Sequence, residues 1–147
     1  MDKHTICLLN DSFPPIIDGV ANAVVNYAEN IEKHHGHAVV VTPAVPGADD
    51  SGFPFPVVRY PSIDTRRLVG YVAGYPFSPE TALRVREEKV ELLHTHCPIA
   101  SAILARSLRE VVDAPLVLPY HTKYDIDIAK AVKSRLLQES AIPAARV

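Results

Sequence analysis

An α/β fold on a mostly parallel sheet is the architecture this sequence predicts, and three observations predict it. Short runs made wholly of apolar residues recur along the chain, among them Ile6-Cys7-Leu8-Leu9, Val39-Val40-Val41 and Leu116-Val117-Leu118. Longer stretches with apolar residues at helical spacing lie between them. Proline and glycine separate the two kinds of segment. A strand buried on both faces reads as a continuous apolar run, and strands alternating with helices imply parallel pairing through crossovers.

The first strand is Thr5-Ile6-Cys7-Leu8-Leu9. Pro14 and Pro15 keep the following loop, Asn10 to Asp18, from being helical. Gly19 opens a helix whose stripe is Val20, Val24, Tyr27, Ala28 and Ile31. His34, His35 and His37 suit the negative end of that helix, and Gly36 suits its C-terminal cap. Ala38 to Thr42 is the second strand, closed by Pro43, and Val57 to Tyr60 is the third. Residues 61 to 77 read as irregular. Ser78-Pro79-Glu80 then starts a helix, with serine as the cap, proline in the first turn and glutamate at the positive end. Glu91 to Thr95 is the fourth strand. Pro98 opens a helix with Ile99, Ile103, Leu104, Leu108, Val111 and Val112 expected on its inner side. Pro115 to Tyr120 is the fifth strand, and a last helix is expected over about residues 125 to 138. The result is a Rossmann-like, mostly parallel sheet with helices on both faces.

Composition narrows the function. The 147 residues suffice for one domain with a real core. A formal net charge of -2 offers no polycationic surface, so nucleic acid is not an expected partner. Cys7 and Cys97 both sit in apolar surroundings and read as buried thiols rather than a bridge. No apolar run reaches the roughly 18 residues of a spanning helix. The chain passes from Asp2-Lys3-His4 straight into a strand with no cleavable signal pattern, so a cytoplasmic location is expected.

In such sheets the ligand crevice lies beyond the carboxyl ends of the strands. Asn10, Asp11, Gly19, His94, Thr95, His96, Tyr120, His121 and Thr122 all fall there. Gly19 at a helix start lets a ligand approach the backbone, where free N–H groups favour an anion such as a phosphate. The alternative is a tight turn that needs glycine for its dihedrals. Residues 19 to 24 read Gly-Val-Ala-Asn-Ala-Val, so the dinucleotide pattern is absent. His94-Thr95-His96-Cys97 could suggest a metal. Alternate strand residues point to opposite faces and no second ligand pair follows at a characteristic spacing, so a structural role is expected and no metal. One histidine is expected to bond backbone and the other to face the crevice. His121, directly after the fifth strand, can hydrogen-bond a sugar hydroxyl or handle a proton. Basic residues such as Arg66, Arg67 and Lys130 read as solvated faces that could also assist docking on an anionic membrane.

Taken in order, these segments resemble family 4 retaining glycosyltransferases. Leu9-Asn10-Asp11-Ser12-Phe13-Pro14-Pro15 followed by Asp18-Gly19-Val20-Ala21 looks like that family's first strand, loop and glycine turn. His35-Gly36-His37-Ala38-Val39-Val40-Val41-Thr42-Pro43 is similar to its second strand, and Val58-Arg59-Tyr60-Pro61-Ser62 fits its third. His94-Thr95-His96-Cys97-Pro98 and Tyr120-His121-Thr122-Lys123-Tyr124 resemble its HxHxP and HTxY segments. Within the family, the likeness is to the branch that glucosylates diacylglycerol and to lipid mannosyltransferases.

The resemblance implies a GT-B fold of two Rossmann-like domains, of which residues 1–147 would be a single, incomplete N-terminal domain. That domain would hold a lipid or glycan acceptor. A C-terminal domain would hold a UDP- or GDP-sugar as substrate, with no cofactor or bound metal. Gly19, with Asp11 and Val20 beside it, would lie against donor phosphates or acceptor. His121 would contact the transferred sugar, and His96, Thr122 and Tyr124 would line the acceptor side. The family's basic pair and paired glutamates, which act on the donor, have no counterpart here. The tail from Glu139 to Val147 carries no strand-like run, so a fragment inactive alone is expected. The alternatives are a non-catalytic module binding a phosphate-bearing ligand and a histidine-based metal protein.

Overall fold

β1 (His4–Leu9) lies at the centre of a five-stranded parallel sheet. The computed structural model describes residues 3–69 and 72–119. α1 (Gly19–His34) crosses over to β2 (Gly36–Pro43), and a long loop leads to β3 (Val57–Tyr60). A two-stranded antiparallel excursion follows: β4 (Ser62–Ile63), the single turn α2 (Arg66–Val69) and β5 (Ala73–Gly74). α3 (Pro79–Glu87), β6 (Leu92–Thr95), α4 (Ala100–Val112) and β7 (Leu116–Val117) complete the described chain. The sheet order is β3-β2-β1-β6-β7.

Alternation along the strands divides the core into two layers. Leu8, Ala38 and Val40 pack against Phe13, Val24, Ala28 and Phe55 on the α1 side. Cys7, Leu9, Val39, Val41, Val58, Tyr60 and Leu93 meet Val85, Leu104, Ala105 and Leu108 on the α3/α4 side. Helices therefore cover both faces, as the continuous apolar runs predict. Asp18 caps α1 by accepting the Ala21 N–H at 2.7 Å, and Ser78 caps α3 by accepting the Thr81 N–H at 3.2 Å.

Four local expectations need correcting. Residues 61 to 77 contain β4, α2 and β5; strands of two residues are too short to show a period. Gly36 is no helix cap. α1 ends at His35, whose N–H bonds Ile31 O at 2.8 Å, and Gly36 already pairs with His4 in the sheet. α4 buries Ala100, Ser101, Leu104, Ala105 and Leu108, a narrow and partly small-residue stripe that seats the helix close to the sheet. Ile99, Ile103 and Val111 lie on its flank at 68%, 46% and 40% exposure rather than on its inner side. The fifth strand is ordered in the sheet over Leu116 and Val117; Tyr120 and the expected helix over 125–138 lie outside the described residues.

Candidate functional site

The strand order places the site. From β1 the chain steps outward to β2 and β3, then returns to pair β6 on the other side of β1. The connections after β1 and β6 thus leave in opposite directions, the arrangement in which sheets of this class bind ligands beyond the carboxyl ends of their strands. The loop after β1 carries Asn10 and Asp11 and runs into α1; the loop after β6 carries His96 and runs into α4. Both helices point their N-termini at this rim.

Gly19 is the first residue of α1 and is exposed. Neither its dihedrals nor its neighbours demand glycine: its φ is outside the left-handed region, and an added Cβ would meet nothing within 4 Å. The tight-turn explanation therefore does not hold, and the space beyond the helix end is open. Asp18 answers the Ala21 N–H with its side chain and the Asn22 N–H with its carbonyl. The Gly19 and Val20 amides precede the first intrahelical bonds and present the positive end of the helix at the rim. Val20 is partly buried beside them.

Asp11 is engaged with protein. Its Oδ1 accepts the Ser101 N–H at 2.7 Å and the Tyr60 hydroxyl at 3.2 Å. Ser101 is the second residue of α4, whose own cap residue, Ile99, makes no side-chain bond. Asp11 therefore caps α4 from another loop. Burial, with the Asp11 charge second, pushes the Tyr60 phenol well above its ordinary value, so it stays protonated and donates. Burial, again followed by Asp11, also holds the Cys97 thiol up, and burial alone holds Cys7 up. Both cysteines are unbridged thiols.

Residues 94 and 96 are two apart in an extended segment, so their side chains share a face. The His94 and His96 rings lie 4.3 Å apart, and both meet Tyr27 of α1, at 6.0 and 5.5 Å. The expectation that they serve opposite sides is corrected by this pleat geometry. His96, expected on the acceptor side, is 1% exposed beneath α1, and its backbone N–H bonds Leu9 O at 2.8 Å. Among the described residues no group of three or more His, Cys, Asp or Glu side chains converges as a metal site would require. His121, Thr122 and Tyr124 lie outside the described residues.

Sequence reasoning gave no role to Arg59, Tyr60 or Ser101. Arg59 reaches Asp50 with Nε and Nη2, both at 2.8 Å, Pro14 O with Nη2 at 2.6 Å and Pro43 O with Nη1 at 3.1 Å. A charge inside the apolar strand Val57-Val58-Arg59-Tyr60 was the available signal, because a charge at such a position needs partners.

The family profile of Glycosyltransferase Family 4 matches residues 17–146. The chain is 29% identical over 126 residues to the alpha-monoglucosyldiacylglycerol synthase of Acholeplasma laidlawii, covering 81% of this chain and 30% of that protein. It is 25% identical over 124 residues to the GDP-mannose-dependent alpha-mannosyltransferase of Corynebacterium glutamicum, covering 80% of this chain and 29% of that protein. The chain thus spans under a third of the length of these curated relatives. A profile match over most of the residues shows that this chain belongs to Glycosyltransferase Family 4.

Proposed function

We propose that this chain is the acceptor-binding half of a retaining glycosyltransferase that moves a sugar from a UDP- or GDP-sugar to a lipid acceptor of the diacylglycerol class. The observation that carries the reading is the open N-terminus of α1 at the point where the strand order reverses. The amides of Gly19 and Val20, which lie before the first intrahelical bonds, suit phosphate or hydroxyl oxygens held between this domain and a second one. In this reading a donor-binding domain with cationic groups on the departing diphosphate supplies most of the charge stabilisation, and the chain alone turns over negligibly. His121 contacts the transferred sugar, while Thr122 and Tyr124 line the acceptor side.

The excursion from β4 to the start of α3 supports a lipid acceptor and a place at the inner face of a membrane. Ile63, Leu68, Tyr75 and Phe77 are 66%, 86%, 53% and 61% exposed there, and the same segment carries Arg67 and an Arg66 that is paired with Asp64 at 2.7 Å. Apolar and cationic side chains displayed together favour an anionic lipid surface. No helix among the described residues is long and apolar enough to cross a membrane.

The test uses the 147-residue chain, vesicles of phosphatidylcholine and phosphatidylglycerol with or without diacylglycerol, and a nucleotide-sugar turnover assay. Diacylglycerol-dependent binding is expected, with Gly19→Val weakening it about tenfold, since the lost amide access is worth one or two good hydrogen bonds. Its Cβ enters open space, and the melting temperature, measured alongside, separates lost amide access from lost stability. Joining the chain to a family donor domain is expected to give turnover that the chain lacks by itself. Appreciable turnover by the chain alone, or equal binding to both vesicle types, would overturn the reading. Specific nucleotide binding without any acceptor binding would favour the non-catalytic phosphate-binding module instead.

A further inference from the structure

Two consecutive residues of β3 hold the same loop from opposite faces of the sheet. Tyr60 is fully buried in the α3/α4 layer and donates its hydroxyl to Asp11 at 3.2 Å. Arg59 points the other way, into the α1 layer, where its guanidinium carbon lies 6.0 Å from the centre of the Phe13 ring. Its Nη2 takes the Pro14 carbonyl at 2.6 Å. Asp11 and Pro14 belong to the loop that leads from β1 to Asp18 and Gly19. That loop is therefore fixed at two points, three residues apart, by neighbouring side chains of a different strand.

Each holder is itself held. Asp50 takes two guanidinium nitrogens of Arg59, and the side chains of this pair are only 13% and 25% exposed. A planar, bidentate fork fixes direction as well as distance, which a lysine ammonium does not. The Tyr60 ring is backed by Gly74 of β5, where an added Cβ would come within 2.5 Å of the ring. The ring cannot retreat, so its hydroxyl stays at Asp11. The carboxylate oxygen that accepts Tyr60 also accepts the α4 amide of Ser101 at 2.7 Å. One short loop is thus locked to β3 and to α4 at once, and α1 begins at its far end.

We propose that Arg59 and Tyr60 are positioning residues for the rim: clasping the loop at the Pro14 carbonyl and the Asp11 carboxylate, they set where α1 presents the Gly19 and Val20 amides. The proposal rests on the reading of that rim as the ligand-binding edge. Neither residue touches a ligand in this account. Their effect on binding passes through the loop, so two unlike substitutions made on opposite faces of the sheet act on the same pair of amides.

The intact chain is compared with Tyr60→Phe, which removes one hydroxyl and keeps the ring, and with Arg59→Lys, which keeps the charge and loses the fork. Backbone amide resonances of Gly19 and Val20 are followed, with Gly36 at the opposite end of the sheet as the unaffected control. Binding to the diacylglycerol vesicles is measured alongside. Both variants are expected to shift the Gly19 and Val20 resonances and leave Gly36 in place. Each is expected to weaken vesicle binding roughly fivefold, the weight of one hydrogen bond. The double variant is expected to lose less than the product of the two, because both act through one loop. A general loss of stability lowers the melt without singling out those two amides. Should Arg59→Lys fail to fold, Tyr60→Phe carries the test. Unmoved Gly19 and Val20 resonances overturn the proposal, as does unchanged affinity in a variant of a chain that binds. If the wild-type chain shows no diacylglycerol-dependent binding while the resonances still shift, the clasp stands and the functional reading falls.

Discussion

Gly36→Ala lowers the stability of this domain by about 3 kcal/mol, at the upper end of what overpacking costs. The added Cβ would lie 2.1 Å from the carbonyl oxygen of His4 and 3.0 Å from its nitrogen. Both are backbone atoms, and His4 is held by its register opposite Gly36 in the β1–β2 ladder. Relief therefore requires the two strands to part at this end. The consequence reaches beyond one residue. His35 ends α1 and Gly36 opens β2 with no loop between them, so a displaced Gly36 pulls on the helix end and the strand together. The Ala38 N–H, accepted by Glu32 Oε1 at 2.7 Å, bridges the same corner. Chemical denaturation of Gly36→Ala beside Gly52→Ala checks the claim. An added Cβ at Gly52 meets nothing within 4 Å, so that variant retains wild-type stability. Equal midpoints for the two variants would show that the close approach at His4 is not a constraint.

That glycine also shows where reading a sequence stops. A glycine following three polar residues at a helix end fits a left-handed cap, and nothing local distinguishes that from a glycine whose hydrogen faces a neighbouring strand. The constraint comes from His4, far back along the chain and opposite Gly36 in the sheet. The strands were legible for the converse reason. Cys7-Leu8-Leu9 and Val39-Val40-Val41 are buried on both faces, and double-sided burial leaves a continuous apolar run that needs no partner to be recognised. The order of those runs also puts the loops after β1 and β6 at the carboxyl edge of the sheet, where ligands gather in such folds.

The connections across the rim were not legible. Asp11 meets Tyr60 across 49 residues and Ser101 across 90, and no spacing pattern encodes either contact. An aspartate in a crevice loop reads as a ligand group because such loops carry function. The structure finds its Oδ1 already accepting from two protein donors. The pairing of His94 and His96 was within reach, since residues two apart on a strand always share a face. The excursion at residues 61 to 77 was out of reach for a different reason. β4 and β5 have two residues each, and they are recognisable as strands only by pairing with each other and by the seating of Gly74 on the Tyr60 ring.

Asp11→Ala costs about 3 kcal/mol, because it strands two donors at once and each buried orphan costs about 1–3 kcal/mol. The Tyr60 hydroxyl loses its acceptor inside a fully buried ring environment. The Ser101 N–H loses the only side chain seen to cap α4 among the described residues. Asp11→Asn keeps an acceptor of nearly the same shape. It loses only the charge assistance and costs about 1 kcal/mol. The asparagine variant separates a second effect from the first. Burial is the main cause of the high Cys97 thiol pKa, and the Asp11 charge adds to it. Removing that charge lowers the pKa, which raises the thiolate fraction at a given pH and speeds reaction with a thiol reagent. Cys7, fully buried, stays silent as an internal control. The expected record is a large loss of stability in Asp11→Ala, a small one in Asp11→Asn, and faster Cys97 labelling in Asp11→Asn under native conditions. If asparagine proves as damaging as alanine, the contacts depend on the negative charge rather than on an acceptor in that place. If Cys97 labels no faster, burial alone and not the Asp11 charge governs the thiol.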